Sequence, residues 1–143
     1  MTQATIHATC VAIHGRGLLI IGESGAGKSD LALRLIDRGA MLVSDDYCHL
    51  RVVGGLLLAA SPTNITGMLE IRHIGIVNLP YAIDVPIALA IALEEKPERM
   101  PDRPAPLELL GIAVPRIALA GLEPSAPIKA EMALARFGLD VTP

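Results

Sequence analysis

The residues whose types and spacing suit chemistry fall in a few short stretches. Gly22, Glu23, Ser24, Gly25, Ala26, Gly27, Lys28 and Ser29 have the spacing of a phosphate-binding loop: glycine, four residues, glycine, lysine, serine. A glycine-rich turn that opens a helix surrounds an anion with backbone N–H groups and the positive end of a helix dipole. Lys28 adds a mobile cation for the outer phosphates, and the Ser29 hydroxyl suits Mg²⁺. A nucleotide or polyphosphate site is expected here. Asp45 and Asp46 are adjacent carboxylates. On a strand, neighbouring residues point to opposite sides, so one is expected to serve the metal, directly or through water, and the other to face an acceptor hydroxyl. A turn in which the pair only caps its own backbone would carry the same letters. Glu70 and Arg72 form a weaker pair, a carboxylate for Mg²⁺ and a guanidinium for phosphoryl oxygens, and Glu-x-Arg is ordinarily a solvated face. His7, from its residue type alone, is ordinary for the start of a strand.

These residues need a frame. The apolar run Leu18–Ile21 before the loop reads as a buried strand, and Asp30–Arg38 after it reads as a helix. Leu31 and Leu35 give that helix an apolar stripe, Asp30 and Arg34 a solvent-side i, i+4 pair, and Gly39 its stop. Ile6–Ile13 is predicted as a single first strand, turning at His14–Gly17 into the strand that feeds the loop. Met41–Val43 is predicted as a short strand ending at the aspartates, where ligands of open α/β sheets bind. His49–Val53 and Leu56–Ala60 flank Gly54-Gly55, a hairpin signal. Ile65–Leu69 is compatible with a helical turn, and Glu70–Leu79 is mixed. From Ile83 to Leu93 the large apolar residues occupy every second position, which predicts a strand. Proline-rich, charged Glu94–Pro106 reads as an exposed loop. Leu107–Val114 is short and apolar, Ile117–Ala120 reads as a strand, and Ile128–Phe137 as a final helix bounded by Ser125 and Gly138. Lys129 and Arg136 on that helix are expected to face solvent.

Length and composition fit this frame. A chain of 143 residues suits one domain. Hydrophobic residues make up 52% and aromatic residues 2%, so the core must be Leu, Ile, Val and Ala, which suits a sheet covered on both faces. Net charge is −3, which gives no electrostatic footprint for nucleic acid. Cys10 and Cys48 lack a CxxC spacing and are expected as reduced, partly buried thiols. The longest apolar run, Val85–Leu93, is about half a membrane span, and no basic-then-apolar signal segment opens the sequence. A cytoplasmic domain without membrane association is expected.

The motifs together are more specific. Gly22–Ser29, Leu42-Val43-Ser44-Asp45-Asp46 and Leu69-Glu70-Ile71-Arg72-His73-Ile74-Gly75-Ile76-Val77 resemble, in this order, the catalytic domain of the HPr kinase/phosphorylase family. The last stretch is similar to the family signature L-E-I-R-G-L-G-I-I, and Glu108–Ile117 resembles a later family segment. The resemblance implies a single P-loop kinase domain over 1–143, an α/β fold rich in strands with few helices, whose nucleotide site resembles that of phosphoenolpyruvate carboxykinase. It implies ATP and Mg²⁺, transfer of phosphate to a serine of an HPr-like carrier protein of a phosphotransferase regulatory system, and a homo-oligomer, a hexamer in the family. Residue by residue it implies nucleotide and metal contacts at Lys28 and Ser29, a proton acceptor at Asp46, its neighbour Asp45, a second metal residue at Glu70, and an active-site histidine at His7.

The sequence also departs from the family. The N-terminal domain of longer members has no counterpart here, and the C-terminal extension is reduced to 138–143. Ala120–Ala126 carries no arginine where many members have a basic loop, and His73 replaces the signature glycine. Nucleotide binding is therefore expected to survive, while reverse phosphorolysis is doubtful. An ATP-sensing regulatory module with little or no transfer is the alternative, and a small-molecule kinase a third reading.

Overall fold

A computed structural model describes residues 2–101 and 105–141. The strands are β1 (Gln3–His7), β2 (Thr9–Ile13), β3 (Arg16–Ile21), β4 (Met41–Ser44), β5 (Tyr47–Val53), β6 (Leu56–Ala60), β7 (Met68–Ile71), β8 (Gly75–Asn78), β9 (Val85–Leu93), β10 (Leu107–Leu109), β11 (Ile112–Val114) and β12 (Arg116–Leu119). The helices are α1 (Lys28–Asp37) and α2 (Ala126–Phe137), with one 3-10 turn at Thr63–Ile65. The main sheet runs β1-β5-β6-β9-β3-β2-β4, and β12 pairs with β9. β7–β8 and β10–β11 are separate hairpins. This is a strand-rich α/β fold with few helices.

Strand direction explains where the chemistry collects. β2 is antiparallel to both β3 and β4, so β3 and β4 run the same way. The end of β3, the end of β4 and the beginning of β2 therefore share one edge. The glycine-rich loop leaves the first, Asp45 and Asp46 leave the second, and Thr9 begins the third. The expected first strand, Ile6–Ile13, is in fact two. β1 pairs with β5 and β2 with β3 and β4, and the chain changes partners at Ala8, a fully buried small residue at the corner. That corner delivers His7 to the same edge.

The helix after β3 forms as its pattern requires. Leu31, Ala32 and Leu35 are fully buried on one stripe. Gly39 (φ +112) closes it: its N–H reaches the Ile36 carbonyl and the Ala40 N–H reaches that of Leu35, the paired bonds of a Schellman stop. Arg34 meets Asp30 at 3.0 Å, yet it is more than half of a solvent-side pair. Its guanidinium also donates to the Glu123 carbonyl at 2.9 Å and to that of Gly121, fastening the 121–123 segment beside the loop. Lys129 forms an ion pair with Glu123 at 3.0 Å, and Arg136 lies over the Phe137 ring.

β9 is the central strand. It begins at Val85 rather than Ile83, which is exposed. Its register against β3 slips between Gly17 and Leu18, where Gly17 faces Ile87 and Leu18 faces Leu89. The slip inserts Ala88 and reverses the faces. Val85 and Ile87 pack into one core, whereas Leu89, Ile91 and Leu93 pack with α1 and α2 into the other. The β10–β11 hairpin supplies Leu107, Leu109, Leu110 and Ile112 to the core away from the helices. Thr63–Ile65 and β7 replace the helical turn expected at Ile65–Leu69, and β7–β8 resolves the mixed Glu70–Leu79 stretch into a hairpin. Residues 94–101 lack regular structure, as expected; residues 102–104 of that loop and the last two of the 138–143 tail lie outside the described residues.

Cys10 and Cys48, far apart in sequence, are fully buried in the same core. The neighbouring Cys48 thiol, and burial after it, hold the Cys10 thiol well above its ordinary pKa. Thiolate is the reactive form. Neither cysteine should therefore react with a water-soluble disulfide reagent in the native protein, and both should react once urea unfolds it. Rapid native labelling at Cys10 would contradict this packing.

Candidate functional site

A cavity of about 610 Å³ lies at the shared edge, lined by Ser24, Gly25, Gly27, Lys28 and Ser29 of the loop together with Asp46, Glu70, Arg72, His73 and Leu122. The loop's shape depends on glycine at Gly27, which caps α1 at φ +98; a Cβ there would lie 2.8 Å from Leu122 Cδ2. Lys28 is nearly buried. Its Nζ donates to the carbonyls of Gly22 at 2.8 Å and Glu23 at 3.1 Å, so the ammonium spans the base of the loop.

Asp45 is turned inward and fully engaged. Its Oδ1 accepts from the Ser29 hydroxyl at 2.6 Å and the Thr9 hydroxyl at 3.1 Å, and its Oδ2 accepts the Glu70 N–H at 3.1 Å. A buried carboxylate without such donors would be costly. Asp46 points the other way and is exposed. The two carboxylates point to different sides, as expected, but the cause differs. Asp46 lies beyond the strand in a turn with φ +68, so a left-handed residue rather than strand alternation separates the two side chains. His7 Nε2 lies 2.7 Å from Asp46 Oδ1. A carboxylate accepts, so the imidazole donates. Tyr47, half exposed, packs beside that ring with centroids 5.3 Å apart.

Glu70 sits on β7 opposite Ile76, and Arg72 follows in the turn. Neither side chain enters an ion pair among the described residues. Both side chains are exposed, as on a solvated face, and both line the cavity. Among the described residues, no three His, Cys, Asp or Glu side chains gather as a metal cluster. Ser29 and Glu70 both line the cavity, and a hydroxyl and a carboxylate are oxygen donors of the kind Mg²⁺ takes alongside waters and phosphate oxygens. The Ser29 hydroxyl donates a hydrogen bond to Asp45, which leaves its oxygen lone pairs available to a cation.

Of the sequence-predicted positions, Ser24, Gly25, Gly27, Lys28, Ser29, Asp46, Glu70 and Arg72 line the cavity, Gly22 and Glu23 lie on Lys28, His7 on Asp46, and Asp45 on Ser29, while Ala26 is not among the lining residues. Thr9 was not singled out by sequence. Its type and place at a strand start carry no signal, and only the fold shows its hydroxyl between the aspartates.

The sequence model of the HPr Serine kinase C-terminal domain matches residues 1–125. The chain belongs to this family. It is 37% identical, over an aligned length of 152 residues, to an HPr kinase/phosphorylase of Clostridium novyi, covering 96% of this chain and 50% of that protein. A Clostridium botulinum HPr kinase/phosphorylase is 43% identical over 94 residues, 66% of this chain and 30% of that one. The chain therefore spans half or less of the length of these relatives. The solved Hpr(Ser) kinase/phosphatase from Coxiella burnetii superposes with a TM-score of 0.81 at 30% identity, covering 93% of this chain and 89% of that chain. The family match stops just before α2 begins at Ala126.

The family signature has glycine where this chain has His73, and the backbone there explains the preference. His73 adopts φ +75 in the β7–β8 turn, a left-handed conformation that costs a non-glycine residue about 1–2 kcal/mol. Glycine's greater freedom in the unfolded chain offsets part of that. His73→Gly should raise unfolding stability by about 0.5–1 kcal/mol, read as a higher urea midpoint at unchanged slope. A lower midpoint would show that the imidazole contributes more than its backbone costs.

Proposed function

We propose that residues 1–143 form the catalytic domain of an ATP- and Mg²⁺-dependent serine kinase that phosphorylates HPr or an HPr-like carrier protein. The observation that carries this reading is the meeting, at one cavity, of the Gly22–Ser29 loop with Asp46, whose carboxylate is exposed and oriented by His7 at 2.7 Å. Phosphoryl transfer needs a phosphate cradle and a proton acceptor for the attacking hydroxyl, and little covalent chemistry from the protein.

In the forward direction the loop N–H groups hold the outer phosphates of ATP. Lys28 exchanges its two carbonyl partners for phosphate oxygens. Mg²⁺ would be held by Ser29 and Glu70, and when bound it neutralises charge on the transferring group. Asp45 serves as the outer partner of that metal by fixing the Ser29 proton, the role outer carboxylates play around metal ligands. His7 occupies Asp46 Oδ1 and leaves Oδ2 for the acceptor. The serine oxygen of the acceptor forms a bond to the γ-phosphorus, the bond from that phosphorus to the β,γ-bridging oxygen breaks, and the serine proton passes to Asp46. Arg72, exposed at the rim, is placed to meet phosphoryl oxygens. The kinase is read as cytoplasmic, like its proposed carrier, with neither nucleic acid nor membrane as partner, and as a homo-oligomer like its family.

One observation favours a second reading, an ATP-sensing module with little transfer. Where many members of the family carry a basic loop, this chain brings Leu122, 70% exposed, to the cavity. The missing cation bears most on phosphorolysis, which must manage an additional phosphate. The test is intact mass of an HPr homologue from the same genome after incubation with the protein and Mg-ATP. The expected result is one added phosphate, with the rate reduced about 10²–10⁴-fold in Asp46→Asn. Nucleotide binding without mass gain would support the sensing module, and transfer undiminished in Asp46→Asn would remove Asp46 from its assigned role.

A further inference from the structure

Thr9 opens β2 with its side chain fully buried, and its hydroxyl joins the two aspartates. Oγ1 donates to Asp45 Oδ1 at 3.1 Å and accepts the backbone N–H of Asp46 at 3.1 Å. The directions are unambiguous, because a carboxylate only accepts and an amide only donates, while a hydroxyl does both. The turn it grips is a strained one. Asp46 has φ +68, and a non-glycine residue stays there only when its surroundings hold it. The turn is also tied by the Tyr47 N–H to the Asp45 carbonyl at 2.7 Å, the Ser44 hydroxyl to the Tyr47 carbonyl, His7 Nε2 to Asp46 Oδ1 at 2.7 Å, and the Ser29 hydroxyl and Glu70 N–H to the Asp45 carboxylate. Of these side-chain ties, only that of Thr9 reaches the Asp46 amide from another strand.

We propose that Thr9 is a positioning residue for phosphoryl transfer. Its one hydroxyl fixes the 45–46 turn, so that the Asp46 carboxylate faces the acceptor side while Asp45 stays on Ser29 and the Glu70 amide. The proposal rests on the kinase reading, but the hold on the turn is testable apart from it. A packing role and a positioning role predict opposite responses to substitution. Valine keeps the branched shape of threonine and removes both hydrogen bonds. Serine keeps both bonds and removes the methyl group. Packing alone would spare Thr9→Val and penalise Thr9→Ser; positioning does the reverse.

The experiment measures two things on the full chain: hydrogen exchange at the Asp46 amide, and steady-state transfer from Mg-ATP to an HPr homologue. In Thr9→Val, Asp46 amide exchange should accelerate by about tenfold or more. kcat should fall about 100-fold, the scale of a small misplacement of a catalytic group, while KM for ATP stays within about threefold. Thr9→Ser should remain near wild type in all three. If Thr9→Val does not fold, Thr9→Ala and Thr9→Ser form the comparison, since they differ only by the hydroxyl. Unchanged exchange and kcat in the variants lacking the hydroxyl, or a loss in Thr9→Ser equal to theirs, overturns the proposal. If the wild type transfers no phosphate, the kinase reading fails and the exchange data alone decide: faster exchange without the hydroxyl upholds its grip on the turn, and unchanged exchange removes it.

Discussion

The site depends on one buried carboxylate. Asp45 accepts hydrogen bonds from the start of β2, the first turn of α1 and the backbone of β7. These elements are far apart in sequence. Burying an ionised carboxylate is unfavourable unless donors replace its water. The arrangement is therefore close to all-or-none: with the three donors present, the loop, the aspartate turn and the signature hairpin are held in register, and without them the charge is stranded. Asp45 joins these segments without lining the cavity itself.

The sheet makes this meeting possible. Because β3 and β4 both run antiparallel to β2, three chain segments converge on one edge, and the corner at Ala8 brings His7 to the same place. The core is built from aliphatic residues on both faces of β9, with the register slip at Ala88 distributing large side chains to each face. Left-handed backbone occurs at two residues that line the cavity, Asp46 and His73. Arg34 adds a second fastening, tying the Gly121–Glu123 segment next to the loop.

Much of this was legible in the sequence. The turn between β3 and α1 follows from the spacing of its glycines, and the stripe of α1 and its glycine stop follow from periodicity and capping. The hairpin at Gly54-Gly55 formed as read. What was hidden has physical reasons. The Ala8 corner leaves no mark because an alanine within an apolar run continues the strand pattern. The slip in β9 is invisible because alternation looks the same whichever face it serves. The separation of Asp45 from Asp46 was expected for the wrong cause, since turn conformation is not written in an Asp-Asp pair. Thr9 escaped notice because β-branched residues are ordinary in strands, and the Cys10–Cys48 contact joins residues that only the fold brings together.

The central claim, that Asp45 links the nucleotide loop to the acceptor side, is tested most directly by amide NMR during titration with Mg²⁺ and a non-hydrolysable ATP analogue. The account predicts one saturable step in which the amides of Gly25–Ser29 shift together with those of Asp46 and Glu70. Loop amides that shift while Asp46 and Glu70 stay unchanged, or a loop that does not respond at all, would contradict it.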